Sequence, residues 1–87
     1  MKATWYEQSG KATDVLHHSA TETPEPQQGK VRACIKASGV NPSDTKFRSG
    51  WMGLQQPYPR TVPHNDGAGV IDAAGAGVSS DRVGARV

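Results

Sequence analysis

Lys30-Val31-Arg32-Ala33-Cys34-Ile35-Lys36-Ala37-Ser38-Gly39-Val40-Asn41-Pro42-Ser43-Asp44 is the stretch on which the fold turns. Its first half has period two: Val31, Ala33, Ile35 and Ala37 share one face, Arg32, Cys34 and Lys36 the other, as in a half-buried strand running from Lys30 to Ala37. At Gly39 the alternation stops. Gly39 to Asp44 makes a turn into a short helix, with an Asn, Ser or Asp cap at its start, running through Thr45-Lys46-Phe47-Arg48 to Ser49-Gly50.

Further elements are read outward from this strand and helix. On the N-terminal side Lys2 to Glu7 is β-prone and stops at Ser9-Gly10, Val15 to Ala20 is a weaker second strand, and Thr23 to Gly29 is a polar loop whose prolines favour extended backbone. On the C-terminal side Pro57, Pro59 and Pro63 make residues 51 to 63 an irregular excursion. Gly69 to Ala74 is another strand, and a further one begins at Gly84-Ala85-Arg86-Val87. Strands at short intervals with one short helix predict a mainly β fold, a partly open barrel or sandwich, with the sheet cut short near Val87.

Eighty-seven residues make at most one domain with a thin core. The apolar fraction of 34% and the mean hydropathy of -0.63 point the same way. Ten Lys and Arg against eight Asp and Glu leave a net charge of +2, and the cations are scattered from Lys2 to Arg86, so nucleic acid is not suggested as a partner. Neither a signal peptide nor an apolar run of about 18 residues is present, so no membrane partner is expected and the chain reads as soluble and cytoplasmic. Cys34 is the only cysteine, which rules out an intrachain disulfide and fits a reducing compartment. It reads as an inert strand residue despite its cationic neighbours Arg32 and Lys36.

Five segments, taken together, resemble a known family. They are Met1-Lys2-Ala3, Thr23-Pro24-Glu25-Pro26, Ala37-Ser38-Gly39-Val40-Asn41-Pro42-Ser43-Asp44, Pro63-His64-Asn65-Asp66-Gly67-Ala68-Gly69-Val70 and Val83-Gly84-Ala85-Arg86-Val87. The pattern resembles the zinc-free, NADPH:quinone oxidoreductase-like branch of the medium-chain dehydrogenases/reductases, with a departure at Ala85, where the family usually has an Asp. The resemblance implies that residues 1 to 87 are the N-terminal part of a GroES-like catalytic domain, and that complete members continue into a Rossmann domain holding NADPH. It further implies hydride transfer to a quinone or a conjugated carbonyl compound. An enoyl or alkenal reductase segment is the nearest alternative, and a small non-enzymatic GroES-like binding module is a third.

Zinc-bearing members of the superfamily have a Cys where Asn41 falls and a His-Glu pair where Asn65-Asp66 falls. Catalytic zinc wants thiolate, imidazole and carboxylate, and neutral amides are poor replacements, so no metal is expected. His64 reads as a loop or hydrogen-bonding histidine, and His17-His18 lies on a strand whose neighbouring side chains point to opposite faces.

By resemblance, the turn Asn41, Pro42, Ser43, Asp44 and Lys46 lies near the nicotinamide, with Asn41 as the residue whose amide orients a substrate carbonyl or cofactor oxygen. An Asx-turn ahead of Pro42 is the structural alternative, and Asp44 reads as a cap. Lys46 stands where relatives carry a tyrosine. Trp51, Met52, Tyr58 and His64 are the candidate substrate wall, although a loop anchored by its large side chains explains the first three equally well.

Gly67-Ala68-Gly69 and Gly75-Ala76-Gly77 are not phosphate loops, since neither is followed by the glycine and helix of a dinucleotide fingerprint. Ser43-Asp44-Thr45-Lys46 matches Ser-x-x-Lys without its companion motifs. NADPH is therefore expected to bind the full-length family but not this chain alone. An unpaired sheet edge makes self-association the other expectation.

Overall fold

A computed structural model describes all residues from Met1 to Val87 and divides them into two compact units, each drawn from two stretches of chain. Met1–Glu22 and Val40–Asn65 form the first; Thr23–Gly39 and Asp66–Val87 form the second.

In the first unit β1 (Lys2–Trp5) pairs antiparallel with β2 (His17–Ala20), Trp5 opposite His17 and Thr4 opposite His18. Cross-strand side chains support that register. Thr4 Oγ1 lies 2.8 Å from His18 Nδ1, and the Trp5 and His17 rings stack with centroids 6.0 Å apart. The Arg60 guanidinium also sits over Trp5, 4.6 Å from its centroid, while ion-pairing with Glu7.

Between the strands the chain makes one helical turn, α1 (Ala12–Val15). This corrects the strand predicted from Val15 to Ala20, which starts only at His17. Four residues are too few for a helical period to show in a sequence, and the turn has no side-chain cap. Its anchor is tertiary: Val15 is one of the buried core residues, together with Tyr6.

The second helix, α2 (Pro42–Ser49), is specified locally. Asn41 is its N-cap with extended backbone, Pro42 takes the first helical position, where a missing N–H costs nothing, and Gly50 ends the helix at φ 75°, a left-handed conformation suited to glycine. A short 3-10 turn, Trp51–Gly53, follows, with Met52 also at positive φ (54°). The remainder to Asn65 is irregular, as the prolines predict.

The second unit is built on β3 (Val31–Gly39) and β4 (Asp66–Ala74), paired antiparallel. On the far side of β4 the chain end adds a short ladder: Gly69 N–H donates to Val87 O at 2.9 Å, Val87 N–H to Gly69 O at 3.0 Å, and Ile71 N–H to Ala85 O at 2.9 Å. Irregularities between Arg32 and Ala33 and between Ile35 and Ala37 interrupt the simple alternation predicted for β3. The apolar face of that strand stays open, with Ile35 57% exposed, and the buried centre of the unit is Ile71, at 1%.

Arg32 ties this unit together. Its Nε donates to Asp72 Oδ1 at 2.8 Å, and its Nη1 donates to Pro24 O at 3.1 Å and to Glu25 Oε1 at 3.4 Å. The hydrogen bond to Asp72 is the main cause of a guanidinium pKa raised above its ordinary value. The architecture is thus mainly β with α2 as its one substantial helix, and it consists of open two-stranded sheets rather than a closed barrel.

Candidate functional site

The first unit contains a cavity of about 160 Å3. Tyr6 reaches it from just beyond β1, Asp44 and Phe47 from α2, and Gln56, Pro57 and Thr61 to Asn65 from the irregular segment. Two features hold these pieces in place. Tyr6 and Thr61 exchange both backbone hydrogen bonds at 2.9 Å, and the α2 N-terminus is closed by a capping box.

In that box Asp44 Oδ2 accepts the Asn41 N–H at 2.7 Å, and the Asp44 N–H turns back toward Asn41, reaching its carbonyl oxygen at 3.0 Å. Asp44 is only 9% exposed. A carboxylate withdrawn that far from water is stabilised by the N–H groups and the positive end of the helix it caps. His64, in the cavity wall, has φ 81°, an uncommon conformation for a residue with a Cβ.

Of the residues singled out from sequence, Asn41, Pro42, Ser43 and Asp44 form the cap and first turn of α2, with Asp44 lining the cavity. Lys46 faces elsewhere. Its ammonium lies 4.8 Å from the centroid of the Trp51 ring, and it borders a shallow basic groove with Lys11 and Arg48. Trp51, Met52 and Tyr58 are exposed, Met52 by 79%, and lie outside the cavity, so among the proposed substrate residues it is His64 that borders it. Tyr6, Phe47, Gln56 and Thr61 were not singled out. Tyr6 carried a usable signal, an aromatic at the end of a strand, whereas Gln56 and Thr61, polar residues in a proline-rich segment, carried none.

No three His, Cys, Asp or Glu side chains are grouped to hold a metal ion, and Asn41 and Asn65 offer only neutral amides. At the start of α2 Pro42 has no N–H to offer, and the Asp44 carboxylate already occupies the place an anion would take.

The chain belongs to the alcohol dehydrogenase GroES-like domain family, whose profile matches residues 27–87. It is 44% identical over 66 residues to the starvation-sensing protein RspB of Escherichia coli K12, and 42% identical over 64 residues to the quinone oxidoreductase of Rattus norvegicus. These matches cover 76% and 74% of the chain, which spans 19% of each relative's length.

Among solved structures, Escherichia coli quinone oxidoreductase complexed with NADPH superposes with a TM-score of 0.85 at 24% identity, a likeness of fold alone. An NAD-dependent alcohol dehydrogenase superposes with a TM-score of 0.83 at 34% identity. Both superpositions cover 99% of this chain, and 26% and 24% of those chains respectively. No helix is long and apolar enough to cross a membrane.

Proposed function

We propose that residues 1–87 are the N-terminal part of the GroES-like catalytic domain of a zinc-independent, cytoplasmic, NADPH-dependent reductase of quinones or conjugated carbonyl compounds. The observation that carries this reading is a 42% identity to a quinone oxidoreductase, beside amides, Asn41 and Asn65, at the two positions that the family resemblance implies are ligands in zinc-bearing members. NADPH, held by a Rossmann domain, supplies the hydride.

The chain's own share is to shape one wall of the cleft. Asn41, held by its capping box, orients the acceptor carbonyl with a hydrogen bond, and the largely apolar cavity lining limits water. The proton that completes the reduction comes from water or a cleft residue. Alone, the chain binds no NADPH and reduces nothing, because it lacks an anchor for the pyrophosphate. The outer edge of β3, with Ile35 exposed, is a route to self-association.

Asn41 in the complete, two-domain enzyme tests the reading. Asn41→Ser keeps a good helix cap but removes the amide donor, so stability should hold while hydride transfer slows by the equivalent of about 1–3 kcal/mol. Unchanged turnover would make Asn41 a turn residue only. Assaying a quinone, an enone and an alcohol with NADPH and with NADH separates the quinone reading from enoyl reduction and from an NAD-dependent dehydrogenase.

A further inference from the structure

Helix α2 borders a second hollow in the first unit, an open groove of about 480 Å3 that shares no residue with the cavity. Its lining includes three cations, Lys11, Lys46 and Arg48, and two hydroxyls, Thr45 and Ser49, but no carboxylate. The acids nearby do not compensate them. Asp44 closes the capping box, Glu7 pairs with Arg60, and Asp14, on α1, is not part of the lining. Cations gathered without a counter-charge repel one another, so such a cluster points to an anion supplied from outside the chain.

Structural roles account for only part of the cluster. Lys46 and Arg48 lie in the last turn of α2, where cations offset the helix dipole. Lys11 has no such reason to be there, since it is the N-cap residue of α1, an end at which a cation gains nothing. The carbonyls that would repel an anion from the end of α2 are already engaged: the Gly50 N–H donates to the Lys46 and Phe47 oxygens, and the Gly10 N–H to Arg48 O at 2.9 Å. Arg48 is half-buried and held in place, its Nη1 donating to Gly10 O at 2.7 Å. Its Nε and Nη2, the edge that grips an oxyanion side-on, find no acceptor in the protein.

We propose that this groove binds the terminal phosphate of a small phosphorylated molecule, with the Arg48 fork as its anchor and Lys11 and Lys46 as flanking charges. A phosphate monoester carries a charge of about −1.5 to −2 at neutral pH and has several strong acceptor oxygens, which matches a fork and two ammonium groups. A lone carboxylate, with a single charge, leaves part of the cluster unopposed. The volume lies within the range of small-molecule sites, about 300–1,000 Å3, so a short organic body has room beside the phosphate. No aromatic side chain lines the groove for a base to stack on, and no row of backbone N–H groups is offered to a pyrophosphate, so a dinucleotide finds no seat there.

The site stands apart from the proposed reductase reading: Asn41 takes no part in it, and it needs neither the cavity nor a nicotinamide.

Titrations of the 87-residue chain with glycerol 3-phosphate, inorganic phosphate, acetate and NADPH at fixed ionic strength, followed by NMR shifts of the Gly10 and Ser49 amides and the Arg48 Nε–H, test the proposal. Both phosphates should saturate the shifts at millimolar concentration and bind about fivefold or more tighter than acetate, the difference one further charge contact makes. NADPH at micromolar concentration should move none of them. Lys11→Gln and Lys46→Gln replace exposed side chains, so the fold is kept, and each should weaken phosphate binding about two- to fivefold. Arg48→Lys keeps the charge but removes the fork, and should weaken it about tenfold or more. Should that variant loosen the chain, the two lysine variants decide alone. Acetate binding as tightly as phosphate, unchanged binding in both lysine variants, saturation by micromolar NADPH, or no shift with either phosphate overturns the proposal.

Discussion

Arg48 holds Gly10 from both sides. The Gly10 N–H donates to the Arg48 carbonyl oxygen at 2.9 Å, and Arg48 Nη1 donates to the Gly10 carbonyl oxygen at 2.7 Å. The last turn of α2 is thereby fastened to the segment leading into α1, where Val15 is buried.

Arg48→Ala removes the side-chain bond and leaves the backbone one. A hydrogen bond from a charged donor is worth about 1.5–3 kcal/mol, and the urea midpoint should fall accordingly. Exchange of the Gly10 amide should speed up no more than global unfolding does, since its own acceptor is a backbone carbonyl. Selective exposure of Gly10 would show that the guanidinium also supports the backbone bond.

Asp44→Ala opens the capping box and should cost about 1–2 kcal/mol. Asp44→Asn, which retains an acceptor oxygen, should cost less. Denaturation of both variants, followed by helical circular dichroism, checks the order. If the two are equally damaging, the charge rather than the hydrogen bond holds the turn.

A methyl group placed on Gly69 would fall on the Cys34 backbone carbonyl, which cannot move without disturbing the β3 and β4 pairing. Gly69→Ala should therefore destabilise by about 1–3 kcal/mol or more. Gly67→Ala is the control. Its added Cβ would lie 3.4 Å from the Ala37 carbonyl oxygen and 3.5 Å from Ile35 Cδ1, close to ordinary contact, so it should be tolerated far better.

Arg32, its pKa raised chiefly by the hydrogen bond to Asp72, gives a prediction about pH. A raised folded pKa means that the stabilisation is complete below the pKa of the unfolded arginine, and is lost only as pH rises through the higher folded value. From neutrality to about pH 10 the stability gap between the native chain and Arg32→Met should therefore stay constant. Urea midpoints across that window measure it. A gap that closes with rising pH would assign the effect to a different titrating group.

How legible each part was depended on where its determinants lie. Helix α2 was readable because Asn41, Asp44 and Gly50 act within a turn of their own positions, and the irregular path after it was announced by Pro57, Pro59 and Pro63. The single turn α1 was not, because its one strong determinant is the burial of Val15, a tertiary fact. The irregularities of β3 escaped for a similar reason: they depend on pairing with residues far along the chain. At the cavity, Asp44 and His64 stood out by residue type. Gln56 and Thr61 acquire meaning only through the carbonyls that claim the Gln56 amide nitrogen and the bridge that fixes Thr61.

The alternation of the chain between its units sets an order of events during translation. Everything the first unit needs has been made once Asn65 is joined, but β3 has by then been waiting for its partner since Gly39, and β4 is complete only at Ala74. A nascent chain thus carries one unit able to close early and one solitary strand with no ladder to join. Arg32 and Lys36 put two charges on that lone strand, and charges of this kind discourage pairing with the wrong neighbour.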